Sequence, residues 1–255
     1  MRRPTKAARQ AEILAELGRG PSLRVAELAG RLAVSTETIR RDLDELTHRG
    51  LIDRTYGGAV RPLAAEPSLD QRHRILVAER QAIARAAADL VRPGSHVMIG
   101  SGATTLHVAR RIAAVHRDLT VITHSFGVAA ALAANPTIAV LVAPGGYHGG
   151  EAATLGAHAV AFLAGFAADV AILGASGLAA DGPADALIES AAVYAAMVVR
   201  AAEVMVVADH AKFDRRFPAR YAAWPQVARL VTDRAPEGAL AAALAEAGVA
   251  VTVAG

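Results

Sequence analysis

The sequence predicts two domains of different class: a small winged helix-turn-helix at the N-terminus and, behind it, an α/β domain with a mainly parallel sheet. Three observations carry this prediction. Between residues 6 and 48, apolar residues recur at spacings of three and four, the period of half-buried helices. From residue 95 onward, apolar runs of five or six residues alternate with helical stretches. Charge is uneven: residues 1–61 hold twelve Lys/Arg and eight Asp/Glu, or +4, and the rest holds fifteen and sixteen, or −1, making up the net +3.

Taken in order, the first helix runs from Lys6 to Leu17, with Ile13, Leu14 and Leu17 on one side and Gly18 and Gly20-Pro21 as stops. A second spans Val25 to Leu32, its apolar side being Val25, Leu28, Ala29 and Leu32. Ala33-Val34 joins it tightly to a third, Val34 to His48, as a helix-turn-helix requires. Ser35 supplies an N-cap hydroxyl there. Ile39, Leu43 and Leu46 form the apolar stripe; at about 100° per residue, Glu37, Arg40, Arg41 and Asp44 fall on the opposite side. A short helix with an apolar back, the hydroxyls of Ser35, Thr36 and Thr38 at its start and paired arginines on its front suits a DNA major groove. Gly50 is placed to end this helix. Leu51 to Tyr56 and Ala59 to Arg61, joined through Gly57-Gly58, predict a hairpin wing that brings Arg54 and Tyr56 to the phosphate backbone.

Residues 62–74, opening with PLAAEP, read as a linker between domains 1–61 and 75–255. A helix over 75–90 ends at Pro93-Gly94. Strands are expected at 95–99, 119–123, 138–143, 170–174, 204–208, 227–232 and 249–253. Helices are expected at 106–114, 127–134, 153–162, 186–201 and 238–246, with a loop at 175–183. Near-continuous apolar strands between helices belong to a parallel sheet covered on both faces.

The hydrophobic fraction of 53% owes much to alanine, and no run of about 20 apolar residues free of charge or turn signals is present. MRRPTKAARQAEIL is basic but lacks the apolar core of a signal peptide, so a cytoplasmic location and no membrane association are expected. The absence of cysteine excludes disulfides, thiolate metal sites and cysteine nucleophiles. No metal, cofactor or catalytic residue is expected.

In open α/β sheets, ligands gather beyond the carboxyl ends of the strands. After the first strand comes Gly100-Ser101-Gly102-Ala103-Thr104-Thr105, a glycine and hydroxyl loop opening a helix, whose N-terminus favours an anion. Thr123 and His124 follow the second strand, Gly145 and Gly146 the third, and Asp209 the strand at 204–208. Lys212, one of two lysines against 25 arginines, is a point charge suited to a phosphate or carboxylate. Ser101, Gly102, Thr104, Thr105, Thr123, His124, Gly145, Gly146, Asp209 and Lys212 therefore predict a site for a small phosphorylated or polyhydroxylated ligand.

VSTETIRRDLDELTHRGLIDRTYGGAV resembles the DNA-binding signature of the DeoR family of bacterial transcriptional regulators. The second half is similar to that family's sensor domain, itself like ribose-5-phosphate isomerase folds. The family's D-S-G-T-T is met by Gly100 to Thr104, with its aspartate replaced by Gly100 and its first threonine by Ala103. T-N-S appears as Thr123-His124-Ser125, G-G as Gly145-Gly146 and D-x-x-K-F as Asp209 to Phe213. The resemblance implies a regulator, in all expectation a repressor of a carbohydrate operon, that binds double-stranded operator DNA as a homo-oligomer and answers to a sugar phosphate. Two alternatives stand beside it. One is a sugar-phosphate isomerase-like enzyme fused to a DNA-binding segment, with Asp209, Glu189 and His124 as candidate bases. The other is a regulator whose sensor is degenerate at Gly100 and Ala103.

Overall fold

The structure is a computed structural model that describes residues 5–19, 22–48, 52–55, 57–60 and 66–255. The chain divides into two compact units, 1–65 and 66–255.

In the first unit, α1 (Lys6–Arg19), β1 (Ser22–Arg24), α2 (Val25–Arg31), α3 (Thr36–His48), β2 (Asp53–Thr55) and β3 (Gly58–Val60) follow one another. The periodic apolar residues converge as expected: Ile13, Leu17, Val25, Leu28, Ala29, Ile39, Leu43, Leu46 and Ile52 form one buried cluster. Each large aliphatic side chain removed from water there contributes about 1.5–3 kcal/mol. The Arg9 guanidinium of α1 donates to both carboxylate oxygens of Asp42 on α3, at 2.7 and 3.1 Å, which fixes how the two helices meet. The tight turn between α2 and α3 puts Ala33 at φ +52°. The wing is three-stranded, in the order β1-β3-β2, all antiparallel. β1, which follows the expected stop at Gly20-Pro21, was not expected; it completes the sheet by pairing with β3. Gly58 is required at that pairing: a Cβ there would lie 1.7 Å from the Leu23 carbonyl oxygen. Gly50, Leu51, Tyr56 and residues 61–65, which include most of PLAAEP, lie outside the described residues.

The second unit opens inside the expected linker. Ser68 and Gln71 form a reciprocal capping box for α4 (Leu69–Arg74). Leu76, at φ +50°, breaks the chain before α5 (Val77–Asp89), so the expected helix starts two residues late. There follow β4 (His96–Ile99), α6 (Ala103–Val115), β5 (Thr120–Thr123), α7 (Phe126–Leu132), β6 (Ala139–Val142), β7 (Gly146–His148), β8 (Ala153–Leu155) and α8 (Ala157–Ala164). Then come β9 (Ala168–Leu173), β10 (Gly177–Ala179), β11 (Gly182–Asp185), α9 (Ile188–Arg200), β12 (Ala201–Val207), β13 (Ala219–Arg220), β14 (Arg229–Thr232), α10 (Gly238–Glu246) and β15 (Ala250–Val253).

Seven strands make a parallel sheet in the order β15-β14-β12-β9-β4-β5-β6. Alternation along the strands divides the core in two. Val97, Ile99, Val121, Ile172 and Val207 face α5, α6 and α7. Met98, Ile122, Ala171, Leu173 and Val206 face α8, α9 and α10. Among the described residues, no helix is long and apolar enough to cross a membrane.

Two expectations are corrected. Residues 153–155, expected to begin a helix, form β8 and pair antiparallel with β7. The alanine-rich segment reads as helical, but Thr154 is claimed by tertiary bonds: its N–H donates to the His124 carbonyl at 2.8 Å and its hydroxyl to the Ala143 carbonyl at 2.6 Å. The expected loop 175–183 contains β10 and the turn into β11, antiparallel partners that turn through Gly182 at φ +137°.

Candidate functional site

Each unit presents one candidate surface. On α3, Ile39, Leu43 and Leu46 are fully buried, which turns Arg40 and Arg41 outward with side chains 58% and 80% exposed. Ser35 caps the helix: its hydroxyl accepts from the Thr38 N–H at 3.2 Å and pairs with the Thr38 hydroxyl at 2.9 Å. Thr36 and Glu37 are exposed in the first turn. Glu37 reaches Arg41 at 3.4 Å and Arg40 at 3.9 Å. Exposed pairs of this kind contribute about 0–1 kcal/mol, so the arginines are easily redirected. Arg54 lies on β2, in the wing.

In the sensor unit, chain direction and strand order place a cavity of about 310 Å³. From β4 the chain moves outward through β5 and β6, then crosses to β9 and moves outward the other way. The loops after β4 and β9 therefore diverge and leave a crevice between them, the usual ligand position in such sheets. Ser101, Gly102, Thr104 and Thr105 enter from the loop after β4 and the start of α6, and Gly174 to Ser176 from the loop after β9. Gly102, at φ +124°, holds a backbone conformation that side chains disfavour and leads directly into α6. Lys212 enters from a short helix after β12.

The other charged lining residues were not anticipated: Glu66, Arg72, Arg80, Glu151 and Asp185, together with Tyr194. Arg72 donates to the Pro67 carbonyl at 3.0 Å and pairs with Glu151. Lys212 meets Glu66 at 2.6 Å. Arg80 is buried and donates twice to Asp209, at 3.0 and 2.9 Å.

Five expected residues sit at strand ends but outside the cavity lining. Thr123 donates its hydroxyl to the Ile99 carbonyl at 2.7 Å. Gly145 and Gly146 follow β6, at the sheet's edge; a Cβ on Gly145 would lie 2.7 Å from the Leu155 carbonyl oxygen. Asp209 lies beneath the cavity, holding Arg80. His124 is fully buried, its Nε2 accepting from the Ser101 N–H at 3.1 Å. Its Nδ1 therefore carries the proton and donates to the Thr154 carbonyl at 2.9 Å. Burial pushes the imidazole down to about 4, partly opposed by the Thr154 bond. His124 thus shapes the loop that carries Ser101.

Tyr194 accounts for Gly100. Its hydroxyl donates to the Ser101 carbonyl at 2.6 Å, and a Cβ on Gly100 would approach the ring to 2.7 Å. The phenol fills the space that a side chain at position 100 would need.

Burial pushes the Asp185 carboxyl up to about 6, with Glu151 adding repulsion and the Leu187 N–H partly offsetting both. Because Asp185 is raised, the folded chain binds the extra proton between about pH 4 and 6, and stability falls as pH rises through that window. Because His124 is lowered, stability falls as pH drops from about 6.5 to 4. The two slopes oppose one another. Asp185→Asn is expected to leave the His124 slope uncompensated, so its melting temperature drops more steeply than the wild type's between pH 6.5 and 4. Parallel curves in thermal melts across that range would count against a perturbed Asp185.

Comparison with known proteins agrees with both halves. Residues 9–63 match the DeoR-like helix-turn-helix domain and residues 76–234 the DeoR C terminal sensor domain. The HTH-type transcriptional repressor CsqR of Escherichia coli is 35% identical over 90% of this chain and 88% of its own. The glycerol-3-phosphate regulon repressor of Haemophilus influenzae is 33% identical over 85% of each. A D-ribose-5-phosphate isomerase in complex with phospho-erythronic acid aligns over 53% of each chain at 15% identity, with a TM-score of 0.40. The chain belongs to the DeoR family of transcriptional regulators.

Proposed function

We propose that this protein represses transcription by binding operator DNA through the outward face of α3, and that a small phosphorylated sugar in the sensor cavity changes that affinity. The observation that carries the DNA half is the pair Arg40 and Arg41, exposed on a helix whose opposite side is fully buried. Ser35, Thr36, Glu37 and Thr38 stand beside them at the helix start, Arg54 lies on β2, and Tyr56 follows two residues later in the sequence. The effector half rests on Lys212, Arg72, the hydroxyls of Ser101, Thr104 and Thr105, and the N-terminus of α6 around one cavity. That set suits a phosphate bearing hydroxyls. We read the cavity as sensory because the relatives at 33–35% identity are named repressors; of the residues considered as bases, Asp209, His124 and Glu189 lie outside its lining, while Glu151 and Asp185 lie within it.

An effector shifts the equilibrium only by binding the DNA-competent and incompetent states unequally. Since one relative is named for the glycerol-3-phosphate regulon, glycerol 3-phosphate is the first compound to test. In a mobility-shift assay on the DNA upstream of its own operon, the full chain is expected to retard the fragment, and a sugar phosphate to change the midpoint by about fivefold or more. Symmetric operators are read by symmetric proteins, so tagged and untagged chains mixed together should give a band of intermediate mobility. No retarded band at low salt would defeat the reading.

A further inference from the structure

We propose that the Glu66 carboxylate is a built-in competitor for the effector's anionic group, holding Lys212 and Arg72 until a phosphate displaces it. This rests on the reading of the cavity as the effector site. Glu66 Oε1 lies 2.6 Å from Lys212 Nζ and 3.5 Å from Arg72 Nε. All three side chains are at least nine-tenths buried, so the contact is not a casual surface pair. Arg72 is engaged by Glu151 as well, and Arg80 is committed to Asp209. As it stands the lining carries three carboxylates, Glu66, Glu151 and Asp185, against the three cations Arg72, Arg80 and Lys212. A phosphate dianion gains little from so balanced a cavity unless a carboxylate leaves.

Glu66 is the carboxylate placed to leave. Its Oε2 is buried without a hydrogen-bond partner among the described residues, so its present position satisfies only half of the group. It sits outside any helix or strand, two residues before Ser68, the N-cap of α4, and can swing without unwinding either. Glu151, in contrast, is held in the turn between β7 and β8 by its N–H bond to the His148 ring. A phosphate arriving at Lys212 and Arg72 finds the α6 N-terminus and the Thr104 and Thr105 hydroxyls in the same cavity. Glu66 is the first residue of the second unit.

The test is calorimetric titration of the full-length protein with inorganic phosphate at fixed ionic strength. Glu66→Gln and Glu66→Ala are expected to bind phosphate about tenfold more tightly than wild type, or ~1.4 kcal/mol. Lys212→Gln is expected to abolish binding, both alone and combined with Glu66→Gln. Unchanged or weaker binding by both Glu66 variants, with binding still lost in Lys212→Gln, would overturn the competitor and leave the anion site intact. Phosphate binding that ignores Lys212, or none in any variant, would overturn both. Melting curves confirm that each variant is folded.

Discussion

Replacing Arg40 and Arg41 together by alanine is expected to weaken operator binding by about 30- to 10⁴-fold, at roughly 1–3 kcal/mol for each specific arginine contact. The effect should fall on binding alone. Both side chains are more than half exposed, and Glu37 is their partner in a loose surface arrangement, so folding loses little when they go. The apolar side of α3 is untouched, and the bidentate Arg9–Asp42 pair continues to hold α1 against it. Fluorescence anisotropy over a range of salt concentrations separates two outcomes. If the arginines read base edges, the variant binds operator and random DNA with similar affinity. If they touch only phosphates, both affinities fall together and the salt slope decreases by about one for each phosphate no longer neutralised. Full operator affinity in a folded double variant would remove α3 as the reading element.

Much of this surface was legible in the sequence because a helix face is a local property. Ile39, Leu43 and Leu46 fix the buried side by spacing, and the arginines follow by geometry alone. The Ser101 to Thr105 loop was legible for a related reason, since a strand, a glycine turn and a helix start lie within a few consecutive residues. What was not legible is strand order. Every strand end is equivalent until it is known that β9 lies beside β4, and only there does a crevice open. Gly145 and Gly146 therefore looked as eligible as Ser101, although β6 is at the edge. The acidic and basic lining from Glu66 to Arg80 was hidden differently. It falls in and just after the stretch read as linker, and its contacts are long-range, such as Arg72 with Glu151 and Arg80 with Asp209. One local sign was present: Ser68 and Gln71 have capping-box spacing and marked a helix where a linker was expected.

Arg80→Ala is expected to destabilise the sensor unit by about 3–5 kcal/mol, the usual loss when one member of a buried ion pair is removed. Arg80 is 2% exposed and Asp209 fully buried. The guanidinium also donates to the Ile75 carbonyl at 2.9 Å and to the Arg72 carbonyl, tying down the break between α4 and α5 where Leu76 takes its left-handed conformation. Alanine would strand the Asp209 carboxylate and leave both carbonyls without this donor. Against a total stability of about 5–15 kcal/mol, this is a large share. In a unit of this size it corresponds to a fall in melting temperature of roughly 6–20 °C. The comparison that isolates the pair is Arg80→Ala/Asp209→Ala. Removing both charges abolishes the uncompensated carboxylate, so the double variant should lose clearly less than the sum of the two single variants. If Arg80→Ala melts within about 2 °C of wild type, at most about 1 kcal/mol for such a unit, the carbonyls and Asp209 are not held by this guanidinium. Strict additivity would mean that Arg80 and Asp209 act independently of one another.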